Sequence, residues 1–352
     1  MAVAWIVFHL TDRCQLDCLH CLRDPAKQPL DLSPELIERV VAQATAHYGC
    51  RHVGFTGGEP LLHPRLAEVI DGVVRQGATW HLVTGGGRMP QLVELLGADP
   101  RRREALTAVD LSLDGPREEV HDAIRGAGSF REVMAAAMTC KALEIPFNFQ
   151  MAVNALNLET IEELGLAAAQ LGAARVLFAA TQPTGTPRDA ELYLPPAAWR
   201  GARDRITRLA EAVRLDVVMA EGFPTEERFH VCLPYRSQIL HVTVRGQLSL
   251  CCQLTGIPGP DTDIVADLAE VELVEAHRRL LRLIHQTEER RLTAIGERPA
   301  GSWDLFPCNV CLESFGKPHW TDQGVAGPQA RRERFGVAVP RELGLPGRPA
   351  RR

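Results

Sequence analysis

Short apolar runs alternate with amphipathic stretches through roughly the first 215 residues. Six runs, at 4–10, 52–56, 79–84, 109–113, 147–153 and 175–180, are five to seven residues long, several of them β-branched or aromatic. That length and content predict parallel strands buried on both faces. Helical spacing takes over between them. Ser33, with Pro34 at the first helical position, opens a helix whose stripe runs through Leu36, Ile37, Val40, Val41 and Ala44 to a stop at Gly49. Leu66, Val69, Ile70, Val73 and Val74 make a second stripe, closed by Gly77. Ser129 and Glu132 predict a capping box ahead of Val133. Asn157 opens a further helix, with Ile161, Leu164, Leu166 and Leu171 inside and Gly172 at its end. Six β-α units in series predict an α/β fold, a parallel sheet with helices outside. Periodicity leaves an open doubly wound sheet and an incomplete barrel equally open.

The texture changes beyond residue 220. Apolar residues at 242–244 and 248–250 flank Arg245-Gly246-Gln247, which predicts a short hairpin. A long polar helix is expected around 268–291, followed by a loop-rich stretch containing Cys308. From about residue 327 the chain is rich in Arg, Pro and Gly and reads as a solvated tail. The expected organisation is a core domain over 1–220, a small cysteine-rich α+β domain over 221–326 and a polar tail over 327–352.

The 352 residues are 45% hydrophobic and 24% charged, with a formal net charge of -5. These values fit a soluble globular chain and carry no basic footprint for nucleic acid. No apolar run approaches the ~20 residues of a membrane span. The apolar start at 2–10 is too short for a signal peptide, so a cytoplasmic location is expected. Composition alters the picture at one point, the ten cysteines. They are too sparse for a secreted disulfide scaffold, and in a reducing compartment clustered cysteines point to metal.

Cys14, Cys18 and Cys21 form a C-x3-C-x2-C run in the loop after the first strand. Three thiolates leave a tetrahedral zinc unsaturated. They can hold three irons of a [4Fe–4S] cube and leave the fourth open to an amino and a carboxylate group. A zinc site completed by His20 or a distant residue is the alternative. The second set is Cys232, Cys251, Cys308 and Cys311. The hairpin would bring the first two together, and the C-x2-C offers two more from one turn. Four thiolates saturate either a cubane or a structural zinc. Cys252 is an alternative to Cys251, while Cys50 and Cys140 read as buried packing residues.

The first cysteine run does not stand alone. Thr56-Gly57-Gly58-Glu59-Pro60 follows the second strand, and Leu111-Ser112-Leu113-Asp114-Gly115-Pro116 precedes His121-Asp122-Ala123-Ile124-Arg125-Gly126. In this order the three motifs resemble the radical S-adenosylmethionine (radical SAM) enzymes, over about residues 4–215. The resemblance implies a partial (β/α)6 TIM barrel, with the reaction chamber at the strand C-termini. It implies a SAM-binding [4Fe–4S] cluster on Cys14, Cys18 and Cys21. It also implies S-adenosylmethionine contacts from Leu22, Thr56, Gly57, Gly58, Glu59, Ser112 and Arg125. The methionine amino group would meet the Gly-Gly-Glu turn, the ribose Ser112 and the carboxylate Arg125. A Gly-Gly turn lets backbone approach a ligand closely, and an arginine fork matches a carboxylate. Leu22 stands where the family commonly has an aromatic, which implies aliphatic packing on adenine. Thr84-Gly85-Gly86-Gly87 replaces a usual Thr-Asn-Gly and implies a roomier chamber. The implied chemistry is one-electron cleavage of the sulfonium and hydrogen-atom abstraction by a 5′-deoxyadenosyl radical.

The second set resembles the twitch domain, a shortened relative of the SPASM domain, and implies one auxiliary 4Fe-4S cluster. The motifs most resemble the peptide-modifying branch. Three functions stay open. The first is a maturase that crosslinks, epimerises or oxidises a ribosomally made peptide. The second is a small-molecule oxidoreductase or a cofactor- or porphyrin-pathway enzyme, and the third a zinc-stapled binding protein. Implied partners are a peptide or small-molecule substrate, a reducing partner such as flavodoxin or ferredoxin, and a separate peptide-recognition protein. Neither nucleic acid nor membrane is expected. Asp114, Glu313, His319 and Asp304 are acid–base candidates by placement, and each also reads as structural or solvated. Trp303, Phe306, Phe315 and Trp320 are expected to shield the auxiliary cluster.

Overall fold

The computed structural model describes residues 3–23, 28–225, 230–297 and 307–318. His319, Asp304, Trp303, Phe306, Trp320 and the expected tail lie outside them. Ten strands build one sheet: β1 (Trp5–His9), β2 (His52–Thr56), β3 (Thr79–Thr84), β4 (Leu106–Ser112), β5 (Phe147–Val153), β6 (Arg175–Ala180), β7 (Asp216–Met219), β8 (Ile239–Val242), β9 (Gln247–Ser249) and β10 (Ile264–Asp267). Their order is β10-β9-β8-β1-β2-β3-β4-β5-β6-β7. β1 to β7 are parallel neighbours in chain order, and β8 lies parallel on the other side of β1. The sheet ends in two free edges, β7 and β10, so the barrel is not closed.

The strands are not apolar on both faces, as their composition implied. They alternate. Ile6, Phe8, Val53, Phe55, Trp80, Leu82, Phe149 and Phe178 are buried in one core with the apolar stripes of the helices. Residues of opposite parity carry polar groups. Along this second face His52 bonds Thr79 Oγ1 at 2.9 Å and His81 at 2.8 Å, and Asp110 accepts from Asn148 at 2.6 Å. A half-buried alternation of period two is what a sheet with one helix-covered face and one lumen face requires.

Three further expectations are corrected. First, the parallel series has a seventh member, β7, short and only half-buried, which the apolar pattern did not single out. Second, the hairpin of β8 and β9 belongs to the core sheet, because β8 pairs with β1 from Trp5↔Ile239 to Phe8↔Val242. The expected boundary at 220/221 therefore falls inside one continuous sheet. Third, Ser129 does not cap its helix. Gly128 is the N-cap, and the Asp122 carboxylate takes the free N–H groups of Gly128 (2.6 Å) and Phe130 (2.8 Å). The Ser129 hydroxyl donates to Asp122 as well. The cap at Ser33 is as expected, with Ser33 Oγ accepting from Leu36 N–H, and Gly49 and Gly172 end their helices in left-handed conformations. Cys50 and Cys140 are buried packing residues. The long polar helix spans Leu273–Glu297.

The capping correction separates two variants. Asp122→Ala should destabilise the chain by about 1–2 kcal/mol, whereas Ser129→Ala should cost clearly less. Urea midpoints of the two variants decide between the caps, and equal losses would return the role to Ser129.

Candidate functional site

The first cysteine loop leaves β1 at its C-terminal end and is tied down on all sides. Thr11 Oγ1 donates to Asp31 at 2.6 Å, and Arg13 grips the same carboxylate through two nitrogens. The Gly-Gly-Glu turn docks on this loop by backbone alone: Gly58 N–H donates to Thr11 O and Glu59 N–H to Arg13 O, both at 2.7 Å. A Cβ at Gly57 would stand 2.6 Å from Thr11 O, and one at Gly58 2.3 Å from Arg13 O. The glycines are thus required by the chain's own backbone, whatever they do for a ligand. Leu19 N–H donates to Ile124 O, while Arg188 pairs with Asp17 at 2.6 Å and reaches Cys18 O. Leu16 N–H and Arg23 N–H point at Cys14 Sγ and Cys21 Sγ, each at 3.4 Å.

Asp114 is central to the geometry here. Its carboxylate has no exposed surface. It takes Arg125 Nε at 2.5 Å and Ala152 N–H at 2.7 Å, with His20 Nδ1 at 3.7 Å. Burial alone would raise its pKa, but Arg125, His20, His121 and the Ala152 N–H together outweigh burial and hold the carboxyl below the usual range. The Asp114 carboxylate aims Arg125, whose Nη1 lies 4.0 Å from Cys18 Sγ. Burial pushes the Cys18 thiol up to about 11, with Arg125 opposing the rise.

Glu59 is also largely engaged. It accepts from Leu61 N–H through Oε1, and from Thr84 Oγ1 (2.8 Å) and Gly85 N–H (3.0 Å) through Oε2. Burial nevertheless raises its pKa. The Gly85-Gly86-Gly87 backbone is closely packed on its neighbours. A Cβ at Gly85 would meet Leu16 at 3.2 Å, and one at Gly86 would meet the Val133 backbone at 2.8 Å. Ser112 is buried at the end of β4, and Thr56 ends β2 opposite His9. Leu22 lies against Gly256 of the C-terminal region.

The second cysteine set converges from three segments. Cys232 precedes β8, Cys251 follows β9, and Cys308 and Cys311 are one turn apart in the helix Pro307–Ser314. The Cys308 thiol is raised well above its ordinary range by burial and then by the negative charge of Cys251, Cys311 and Cys232. Burial likewise pushes Cys311 up to about 12. Cys308 sits beside Gly222, which packs on Ala180 at the end of β6. Tyr235 Oη lies 3.2 Å from Cys311 Sγ. The spacing pattern missed Tyr235, and only its position three residues after Cys232 hinted at it. The segments are clamped by an ion pair without exposed surface, Lys317 Nζ to Asp263 at 3.3 Å. Lys317 also donates to Ile257 O, and Asp263 accepts from Leu250 N–H and Thr255 Oγ1. Glu313 is exposed on its helix, outside this thiol group. Phe315 is buried in the main core.

The parallel α/β sheet and the cysteine loop at the end of its first strand define a class. Residues 8–167 match the radical SAM superfamily, so the chain carries a domain of that superfamily. Over 223 residues it is 32% identical to the PqqA peptide cyclase of Ruegeria pomeroyi, covering 61% of this chain and 57% of that one. It is 33% identical over 141 residues to the mycofactocin maturase MftC of Mycobacterium ulcerans, covering 40% and 35%. The chain thus spans between about a third and three fifths of these two relatives. Among solved structures, anSMEcpe with bound AdoMet aligns with a TM-score of 0.65 at 14% identity, over 95% of this chain and 96% of that one. Streptococcus suis SuiB bound to S-adenosylmethionine aligns with 0.64 at 14%, over 78% and 65%. Among the described residues no helix is long and apolar enough to cross a membrane.

Two outcomes follow from this geometry. Lys317→Met leaves the Asp263 carboxylate buried and unpaired, and should cost about 3–5 kcal/mol. Lys317→Met with Asp263→Leu should recover much of that loss in thermal unfolding. His9 and His52 are both lowered to about 4, first by burial and then by a neighbouring histidine. Between about pH 6.5 and 4 the unfolded chain therefore binds more protons, and stability falls as the pH falls through that window. A urea midpoint that stays flat across it would contradict the burial of these rings.

Proposed function

We propose that this chain is a radical SAM enzyme that modifies a ribosomally synthesised peptide. In this reading Cys14, Cys18 and Cys21 hold a SAM-binding [4Fe–4S] cluster, and Cys232, Cys251, Cys308 and Cys311 hold an auxiliary one. The observation that carries it is the donor chemistry of two separate thiol groups. The three thiols of the first loop sense one another electrostatically, as do the four of the second. A single zinc with bonds of about 2.3 Å needs its sulfur ligands drawn tightly together. Among the described residues neither set contains three ligand atoms within 4.8 Å of one another. Wider thiol spacing suits a polynuclear cluster.

A [4Fe–4S] cluster with S-adenosylmethionine supplies, when bound, reductive carbon–sulfur cleavage and hydrogen-atom abstraction from substrate. The chain's own residues bind and orient. Arg125, aimed by Asp114, presents Nη1 beside Cys18, where its guanidinium suits a carboxylate. Glu59 Oε1 accepts a single hydrogen bond, from Leu61 N–H, which leaves acceptor capacity for an ammonium donor. Ser112, at the end of β4, offers a hydroxyl to a ribose. One relative above is named a peptide cyclase and the other a maturase, which supports a peptide substrate here. The cysteine usage further supports a reducing compartment and a low-potential protein reductant of the flavodoxin or ferredoxin kind. A separate protein is proposed to present the peptide.

Anaerobic reconstitution tests the proposal. Wild type should take up about eight irons per chain and cleave S-adenosylmethionine on reduction. Cys18→Ala should abolish cleavage. Cys308→Ala should retain uncoupled cleavage while losing the mass change in the peptide. Cleavage that persists in Cys18→Ala, or two zincs with no iron in wild type, would sink the reading.

A further inference from the structure

Cys252 was a spare thiol by spacing, and the structure gives it a different setting from Cys251. Cys308 and Cys311 feel the charge of Cys251, and Cys251 in turn shares a side-chain hydrogen bond with the Cys252 thiol. On its other side stands His241 of β8. One ring nitrogen of His241 and the thiols of Cys251 and Cys252 all lie within 4.8 Å of one another. Among the described residues this is the one trio of histidine, cysteine and acidic ligand atoms drawn so close. His241 is buried, and its Nδ1 has no hydrogen-bond partner. A buried ring nitrogen without a partner is costly to keep unless something occupies it.

We propose that His241, Cys251 and Cys252 form a further metal position, which takes a thiophilic divalent ion such as zinc through one imidazole nitrogen and two thiolates. Binding releases the two thiol protons to solvent and leaves one tetrahedral position for water. His241 sits on β8, Cys251 follows β9 by two residues, and Cys252 opens the short helix Cys252–Thr255. Zinc–sulfur and zinc–nitrogen bonds of about 2.3 and 2.0 Å bring ligand atoms less than 4 Å apart, and the trio's atoms already stand within 4.8 Å of one another. Cys251 is shared with the four-thiol group. A zinc on the trio therefore withdraws Cys251 from the auxiliary cluster, a consequence that rests on the reading above.

The trio is tested with Co2+ as the spectroscopic probe, on the full chain carrying Cys14→Ser, Cys18→Ser, Cys21→Ser, Cys308→Ser and Cys311→Ser. That chain should bind cobalt with thiolate charge-transfer absorption and a nitrogen ligand visible by X-ray absorption. Adding His241→Ala or Cys252→Ser should weaken binding at least about tenfold, and His241→Ala should remove the nitrogen. Circular dichroism confirms that each variant is folded. Equal affinity in all three, or no nitrogen ligand, overturns the site. The second measurement uses the natural sequence, reconstituted with iron and sulfide with and without equimolar Zn2+. Zinc should lower the iron incorporated, and His241→Ala should recover part of it. If His241→Ala is as sensitive to zinc as wild type, the competition is overturned. A wild type that takes up a single cluster even without zinc sinks the auxiliary-cluster reading instead, and the cobalt result still decides the trio.

Discussion

A carboxylate with no access to water must be paired on the spot, and Asp114 meets that demand by drawing four segments together. Its carboxylate holds Arg125 from the helix Glu118–Arg125 and the N–H of Ala152 from β5, while its own N–H donates to His121 Nδ1. Asn157 then donates to Asp114 O. Removing either partner would strand a charge in a low-dielectric interior, which is far costlier than losing a surface pair. The geometry of Arg125 is therefore not free to drift. Because Ile124 O also receives Leu19 N–H, the same helix fixes the middle of the cysteine loop. The spacing of thiols around the first site is a by-product of satisfying one buried anion.

The neighbouring turns follow the same logic with neutral groups. Gly58 and Glu59 give their N–H groups to the loop, and the Glu59 side chain reaches across to β3. The result is a framework in which the ends of β1, β2 and β3 are cross-linked by hydrogen bonds before any ligand arrives. Preorganisation of this kind lowers what a bound cofactor would otherwise spend on ordering loops.

Much of this was legible in the sequence, for identifiable reasons. Strand positions at β2, β3, β5 and β6 were read to the residue because each is bounded by turn formers and filled with apolar residues at alternate positions. The cysteine runs were legible because their ligand spacing is local. What was not legible depends on contacts distant in sequence. Asp122 outcompetes Ser129 as a cap because Gly128, in a left-handed conformation, turns the N–H groups back toward the preceding helix. Asp114 stands out in the sequence only by placement, because its pairing with Arg125, eleven residues further on, depends on the fold. The polar lumen face escaped notice because its histidines satisfy one another across strands.

The C-terminal region is the place where topology decides most. Had the hairpin been a separate unit, Cys251 would be positioned only by its own loop. Instead β8 hydrogen-bonds to β1, and the cysteine loop of the first site leaves the far end of that same β1. Cys251 and Cys14 are therefore referenced to one rigid strand pair. The Lys317–Asp263 pair completes the arrangement from the other side. It ties the segment after Cys311 to the segment between Cys251 and β10. A pair with no exposed surface contributes little net stability compared with an apolar substitute, but it tolerates few alternative arrangements. Its value here is positional: it holds the helix of Cys308 and Cys311 in register with Cys251, which a hydrophobic contact would hold less strictly.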